Sequence, residues 1–168
     1  YPDIFAAAIP ICGAKVPPEF KEEFEDIIDM PIWIFHAKDD NVVPILASDT
    51  RVRQLEKVGA KVYKTEYPGN LSKKENEARA RRISELAEAQ GCNIIYTKYT
   101  RKTISPSHYS WEPTYANDAV RDWLFSQRKS KRFKMQDSKV FDELKIESKE
   151  EEDIGPEISD FEQEEIES

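Results

Sequence analysis

Two imidazoles and a pair of adjacent carboxylates are the residues of this 168-residue chain best suited to moving protons: His36, Asp39, Asp40 and His108. Asp39 and Asp40 follow His36 by three and four positions and precede Pro44, while His108 stands 68 residues beyond Asp40. An imidazole can take a proton from a hydroxyl and hand it to a leaving group. A buried carboxylate assists by fixing the ring tautomer and stabilising the imidazolium as it forms. With two histidines in the chain, the base is His36 or His108, and the acid competing for it is Asp39 or Asp40. No third or fourth partner falls in with Asp40 and His108 at metal-ligand spacing, so neither a metal site nor a cofactor is expected.

The elements around these residues read as strand tips. Residues 32–35 (Ile, Trp, Ile, Phe) are apolar and β-branched or aromatic, as in a strand buried on both faces of a parallel sheet. In open α/β sheets, chemistry sits in the loops beyond the carboxyl ends of strands, and this strand empties into His36, Lys38, Asp39 and Asp40. Residues 93–99 are strand-like again and lead through a polar loop, residues 101–106, to His108.

Between the two tips the chain alternates helix and strand. A helix after Pro44 carries Ala47 or Ser48, Val52 and Leu55 on one face and stops at Gly59. Residues 61–67 form a strand, ended by a turn at Pro68 and Gly69. Ser72 and Glu75 make a capping box for a second helix, with Ile83, Leu86, Ala87 and Gln90 as its inner stripe and Gly91 as its stop. Residues 59–67 and 91–99 align at an offset of 32 with Gly, Thr and Tyr identical, which suggests a repeated helix–strand unit with the second strand added at the sheet edge; the alternative is a helical excursion over residues 70–93 that rejoins the same strand position. Upstream, residues 6–12 suit a buried parallel strand, and residues 15–30 suit a short amphipathic helix through Phe20, Phe24, Ile27 and Ile28. A last helix presents Ala116, Val120, Trp123 and Leu124.

Two motifs carry a family resemblance. His36, Asp40, Val43 and Pro44 fall on the pattern His-Gly-x-x-Asp-x-x-Val-Pro, with Ala37 in place of Gly. Ser107, His108, Ser110, Trp111, Pro113 and Tyr115 fall on Gly-His-x-Ser-Trp-x-Pro-x-Tyr, with Ser in place of the first Gly. Together they resemble α/β-hydrolases of the prolyl-oligopeptidase-like and carboxylesterase branch. The opening Tyr1, Pro2, Asp3, Phe5, Ala6 and Ala7, and the run Asp122, Trp123, Leu124, Ser126, Gln127, are similar to the same family. The resemblance covers residues 1–127 apart from about 70–93, which it treats as an inserted helix–strand segment. It implies an α/β fold: the C-terminal portion of an α/β-hydrolase, a mostly parallel sheet with flanking helices, truncated at the N-terminus.

It further implies that Asp40 is the triad acid and His108 the base, in the order Ser…Asp…His. On this reading His36 shapes the acid loop, and Trp111 and Tyr115 are packing residues. No Gly-x-Ser-x-Gly occurs in the chain. The nucleophile and the oxyanion-hole donors are therefore expected upstream, and these residues alone are expected to lack turnover. The implied activity is serine hydrolysis of a small-molecule ester, carboxylesterase-like, with a prolyl-oligopeptidase-like peptidase as one alternative. A degenerate, non-catalytic binding or scaffold module is the other. The expected partner is the N-terminal half of the domain.

Composition narrows the rest. The net charge of −8 belongs to the tail, where residues 137–168 carry 14 acids against three lysines. The first 136 residues hold 22 bases and 19 acids, so the charge suggests no nucleic-acid partner. Residues 128–168 read as a basic linker followed by a disordered acidic tail. No apolar run is long enough for a membrane span. Cys12 and Cys92 read as separate, partly buried thiols, and they leave the compartment undetermined.

Overall fold

The two segments alike at an offset of 32 lie side by side. In the computed structural model, which describes residues 4–13 and 24–128, β2 (Val62–Tyr67) pairs in parallel with β3 (Ile94–Tyr99). Val62 is opposite Ile94, Thr65 opposite Thr97 and Tyr67 opposite Tyr99, so the sheet register equals the sequence offset. The other neighbour of β3 is β1 (Ile32–Ala37), also parallel, giving the order β1-β3-β2. The expectation that the second copy adds at the sheet edge is therefore corrected: β3 is interior and the first copy, β2, takes the edge. The side chains explain why. Five of the six β3 residues are buried, whereas β2 alternates outward Lys64 and Glu66 with half-buried neighbours and could not line a dry interior.

The crossovers run in opposite directions. The chain passes from β1 over β3 to β2 through α1 (Leu46–Lys57), then returns to β3 through α2 (Lys73–Ala89). Crossovers of one hand made in opposite directions put their helices on opposite faces, and the core divides accordingly. On one face Val52 and Leu55 of α1 pack with Ile32, Ile34, Ile94 and Tyr96, joined by Phe24 and Ile28. On the other, Ala80, Ile83 and Ala87 of α2 and Ala119 and Val120 of α4 (Asp118–Ser126) pack with Trp33, Phe35, Ile95, Tyr67 and Tyr99. Trp33 is wholly buried there, its ring against Phe35 and edge-on to Trp123, and its indole N–H donates to Thr97 Oγ1 at 2.9 Å.

Residues 6–12 run parallel beside β1 but form only two bridges, Ala8 with Ile32 and Ile11 with Phe35. The backbone bonds identify the cause. Ala8 N donates to Pro31 O and Cys12 N to Phe35 O, while Trp33 N and Phe35 N donate to Ala8 O and Pro10 O. The missing rung is the one Pro10 would donate, and proline has no N–H. The expected buried strand is thus a half-buried, interrupted one.

Other expectations shift in detail. Of residues 15–30, those from 24 onward make one 3₁₀ turn with Phe24 and Ile28 buried, and residues 14–23 lie outside the described part. In α2 the capping box forms in both directions, but the inner stripe is Asn76, Ala80, Ile83 and Ala87, with Gln90 exposed at the C-cap. The last helix buries Ala119 and Val120 rather than Ala116, because Asn117 caps it by accepting from Val120 N. The basic linker beyond Arg128 and the acidic tail fall outside the described residues. Among the described residues, no helix is long and apolar enough to cross a membrane.

Candidate active site

The carboxyl ends of neighbouring strands β1 and β3 bring the two motifs together. Asp40 follows β1 in a tight loop whose own backbone holds it: Oδ1 accepts from Val42 N at 2.9 Å and Val43 N at 2.8 Å. Its Oδ2 lies 2.8 Å from Nδ1 of His108. Burial alone would favour the neutral acid. The His108 bond and the N–H groups of Val43 and Val42 outweigh it, and the Asp40 pKa falls below its ordinary value. An ionised carboxylate only accepts, so His108 carries its proton on Nδ1. Nε2 of the neutral ring is then a free lone pair, and the His108 side chain is 22% exposed. Nε2 has no hydrogen-bond partner among the described residues.

His36 serves the loop. It is fully buried, with Nε2 2.8 Å from Val43 O and Nδ1 2.7 Å from Ser48 Oγ. A carbonyl cannot donate, so Nε2 bears the proton. Burial lowers the His36 pKa and keeps the ring neutral, which leaves Nδ1 to accept from the Ser48 hydroxyl. The same Nε2 lies 3.3 Å from Asp40 Oδ2. His36 thus ties β1, the acid loop and α1 together, and its ring nitrogens are spent in doing so.

Of the two adjacent carboxylates, Asp40 is the one beside the imidazole. Asp39 Oδ2 accepts from Lys102 N at 2.8 Å, across to the loop that carries His108, and does not approach the imidazole. Lys38 N bonds Tyr99 O at 2.9 Å and Ser107 Oγ donates to Asn41 Oδ1 at 3.2 Å, so the acid and base loops are stitched at three points. Gly69 matters because the base loop folds over it. A Cβ there would meet Ile104 Cγ1 at 2.5 Å and Cδ1 at 2.7 Å, while Gly69 N donates to Thr103 Oγ1 at 2.9 Å.

Behind His108, α3 (Trp111–Tyr115) packs against the ring. Trp111 meets His108 edge to face with centroids 5.1 Å apart. Thr114 Oγ1 donates to Ser110 O and accepts from the buried Tyr99 hydroxyl, anchoring the turn to the tip of β3. Tyr115, expected as packing, is exposed instead. A thiol adjoins the pair, which sequence spacing does not reveal. Cys12, at the end of the interrupted strand, donates its thiol to His108 O at 3.3 Å, and ligand atoms of Cys12, Asp40 and His108 lie within 4.8 Å of one another. Burial raises the thiol pKa, with Asp40 adding to that effect and Ser110 opposing it. The expectation that Asp40 and His108 have no third neighbour able to ligate a metal is corrected. The signal was available only through the register that sets residues 8–12 beside residues 32–36.

No protein-family model matches the chain, and no curated protein matches it. Among solved structures, a crystal structure described as a thermostable esterase is similar at 32% identity and a TM-score of 0.50, over 76% of this chain. The chain spans a quarter of that esterase's length. The likeness, with the parallel sheet between two helical layers, defines an α/β, esterase-like hydrolase fold.

Proposed function

We propose that this chain contributes the acid and base of a serine-hydrolase triad, Asp40 and His108, to a carboxylesterase-like enzyme. The observation that carries the reading is the bond from His108 Nδ1 to an Asp40 held ionised by two backbone N–H groups. That arrangement leaves Nε2 as the proton acceptor a serine hydroxyl requires. The nucleophile and oxyanion-hole donors would come from a strand laid against the outer side of residues 8–12. Supporting this, the backbone groups of Ala8, Pro10 and Cys12 point to β1, and no strand among the described residues covers the other side. A groove lined by Phe5, Ala8, Ile9, Val120, Leu124 and Phe125 flanks that edge and is the kind of apolar surface another layer would cover.

In the reaction His108 Nε2 would accept the serine proton as its oxygen attacks the ester carbonyl. The imidazolium so formed is stabilised by Asp40, and it would then protonate the leaving alkoxide. The test uses the complete protein that carries these residues, with p-nitrophenyl acetate as substrate and a fluorophosphonate as serine probe. His108→Ala is expected to cut turnover by at least about 10²–10⁴-fold while far-UV circular dichroism is unchanged. Turnover that persists in a folded His108→Ala protein would remove the triad from the mechanism.

A further inference from the structure

We propose that Cys12, Asp40 and His108 form a binding site for a thiophilic divalent cation, typified by Zn²⁺, and that its occupancy silences His108 as a base. The second half rests on the proposed function; the site itself does not. Three ligand atoms of the types zinc favours, a sulfur, an imidazole nitrogen and a carboxylate oxygen, converge within 4.8 Å. A fourth donor is at hand. Ser110 is fully buried, and its hydroxyl lies beside the Cys12 thiol, within reach of the same point.

The geometry is near what the ion needs. With Zn–N near 2.0 Å and Zn–S near 2.3 Å, tetrahedral ligands sit roughly 3.3–3.7 Å apart. The widest pair must close by about 1 Å and the Asp40–His108 pair must open by about 0.5 Å, movements that side-chain rotation supplies. Charge also balances. Zn²⁺ with one thiolate and one carboxylate is neutral, which suits a site where Asp40 is otherwise a single buried negative charge. Carboxylate-only cations such as Mg²⁺ gain nothing from the thiol and imidazole.

On binding, the Cys12 thiol loses its proton to solvent and the thiolate sulfur joins the metal. His108 Nδ1 gives up its proton, takes the metal, and the neutral ring carries its one proton on Nε2. The nitrogen that served as acceptor becomes a donor, so the ion stops proton transfer without entering the substrate cleft.

The complete protein that carries these residues is purified and titrated with Zn²⁺ in competition with a chromophoric chelator, and with Cd²⁺ while the ultraviolet thiolate-to-metal absorption is followed. One equivalent is expected to bind, with release of about one proton at neutral pH and a Cd²⁺ absorption band. Cys12→Ser should abolish the band and weaken Zn²⁺ binding by at least about 10-fold, as should His108→Ala, while Cys92→Ser changes neither. A band that survives Cys12→Ser, or follows Cys92, overturns the site. Binding at Cys12 in a protein without turnover leaves the site standing and sinks the proposed function alone. Turnover unaffected at saturating Zn²⁺ overturns the silencing.

Discussion

Asp40 performs two separable tasks, holding its own loop and setting the His108 tautomer, and two substitutions divide them. In Asp40→Asn the amide oxygen can stay on the Val42 and Val43 N–H groups, because the flipped amide would set its NH₂ against both donors. The NH₂ then faces His108, whose Nδ1 must become an acceptor, moving the ring proton to Nε2. The loop loses charge assistance on two bonds, roughly 0.5–2 kcal/mol each given that bonds to charged groups contribute about 1.5–3 and neutral ones about 1. Asp40→Ala leaves both N–H groups without an acceptor, at about 1–3 kcal/mol apiece, and opens a cavity as well. Against a domain stability of about 5–15 kcal/mol, the Asn protein folds and the Ala protein is marginal. Nitrogen-15 NMR of the imidazoles reads the tautomer, and urea unfolding reads the cost. There is also a pH signature. The Asp40 pKa is lowered on folding, so its stabilisation is full above about pH 4 and lost as pH falls through the folded value; Asp40→Asn should flatten that acid limb. An Asn protein whose His108 keeps its proton on Nδ1, or an Ala protein as stable as the Asn one, would refute the reasoning.

Burial lowers the His36 pKa from 6.5, so the unfolded chain binds a proton that the folded one excludes. Stability is therefore complete above about pH 6.5 and declines as pH falls toward the folded value. His36→Gln should reduce that slope, measured by unfolding at several pH values between 7 and 5; an unchanged slope would show that His36 is not the group responsible. Gly69→Ala puts a methyl into Ile104 and should cost about 1–3 kcal/mol by overpacking. Adding Ile104→Ala should recover part of that cost, and a double mutant no better than the sum of the singles would mean the contact is not the source.

Much of the scaffold was legible because local chemistry dictated it. Ile32 to Phe35 has no polar face to show to water, Ser72 and Glu75 cap a helix by reaching each other's backbone, and Gly59 and Gly91 stop helices at positive φ. The pairing of Asp40 with His108 was legible only through the resemblance, since residues 68 apart carry no spacing signal of their own. What stayed hidden depends on which segments become neighbours. Asp39 and Asp40 are chemically equal in sequence, and only the turn of the loop sends one to His108 and the other to Lys102 N. Cys12 is an ordinary thiol until the parallel register with β1 delivers it to the imidazole. The strand order had a trace in sequence, in Lys64 and Glu66 against Ile94, Ile95 and Thr97, because charged side chains two apart turn one face of β2 to water, which an edge strand tolerates and an interior one does not.

That order keeps Asp40 and His108 together although α1, β2 and α2 intervene between their strands in sequence. Adjacent strands lie about 4.8 Å apart. Had β3 taken the outer position, its tip would stand two spacings from β1, roughly 9–10 Å, and the Lys38–Tyr99 backbone bond could not form. Instead β2 occupies the edge and β3 slots beside β1, so the eight residues between Tyr99 and His108 need cross only one strand to reach Asp40. The stitching bonds follow from the same adjacency: Lys102 to Asp39, Ser107 to Asn41, and the passage of Ile104 over Gly69. A long path from Asp40 to His108 in sequence thus leaves them 2.8 Å apart in space, because β2 lies beyond β3 on the side of the sheet away from β1.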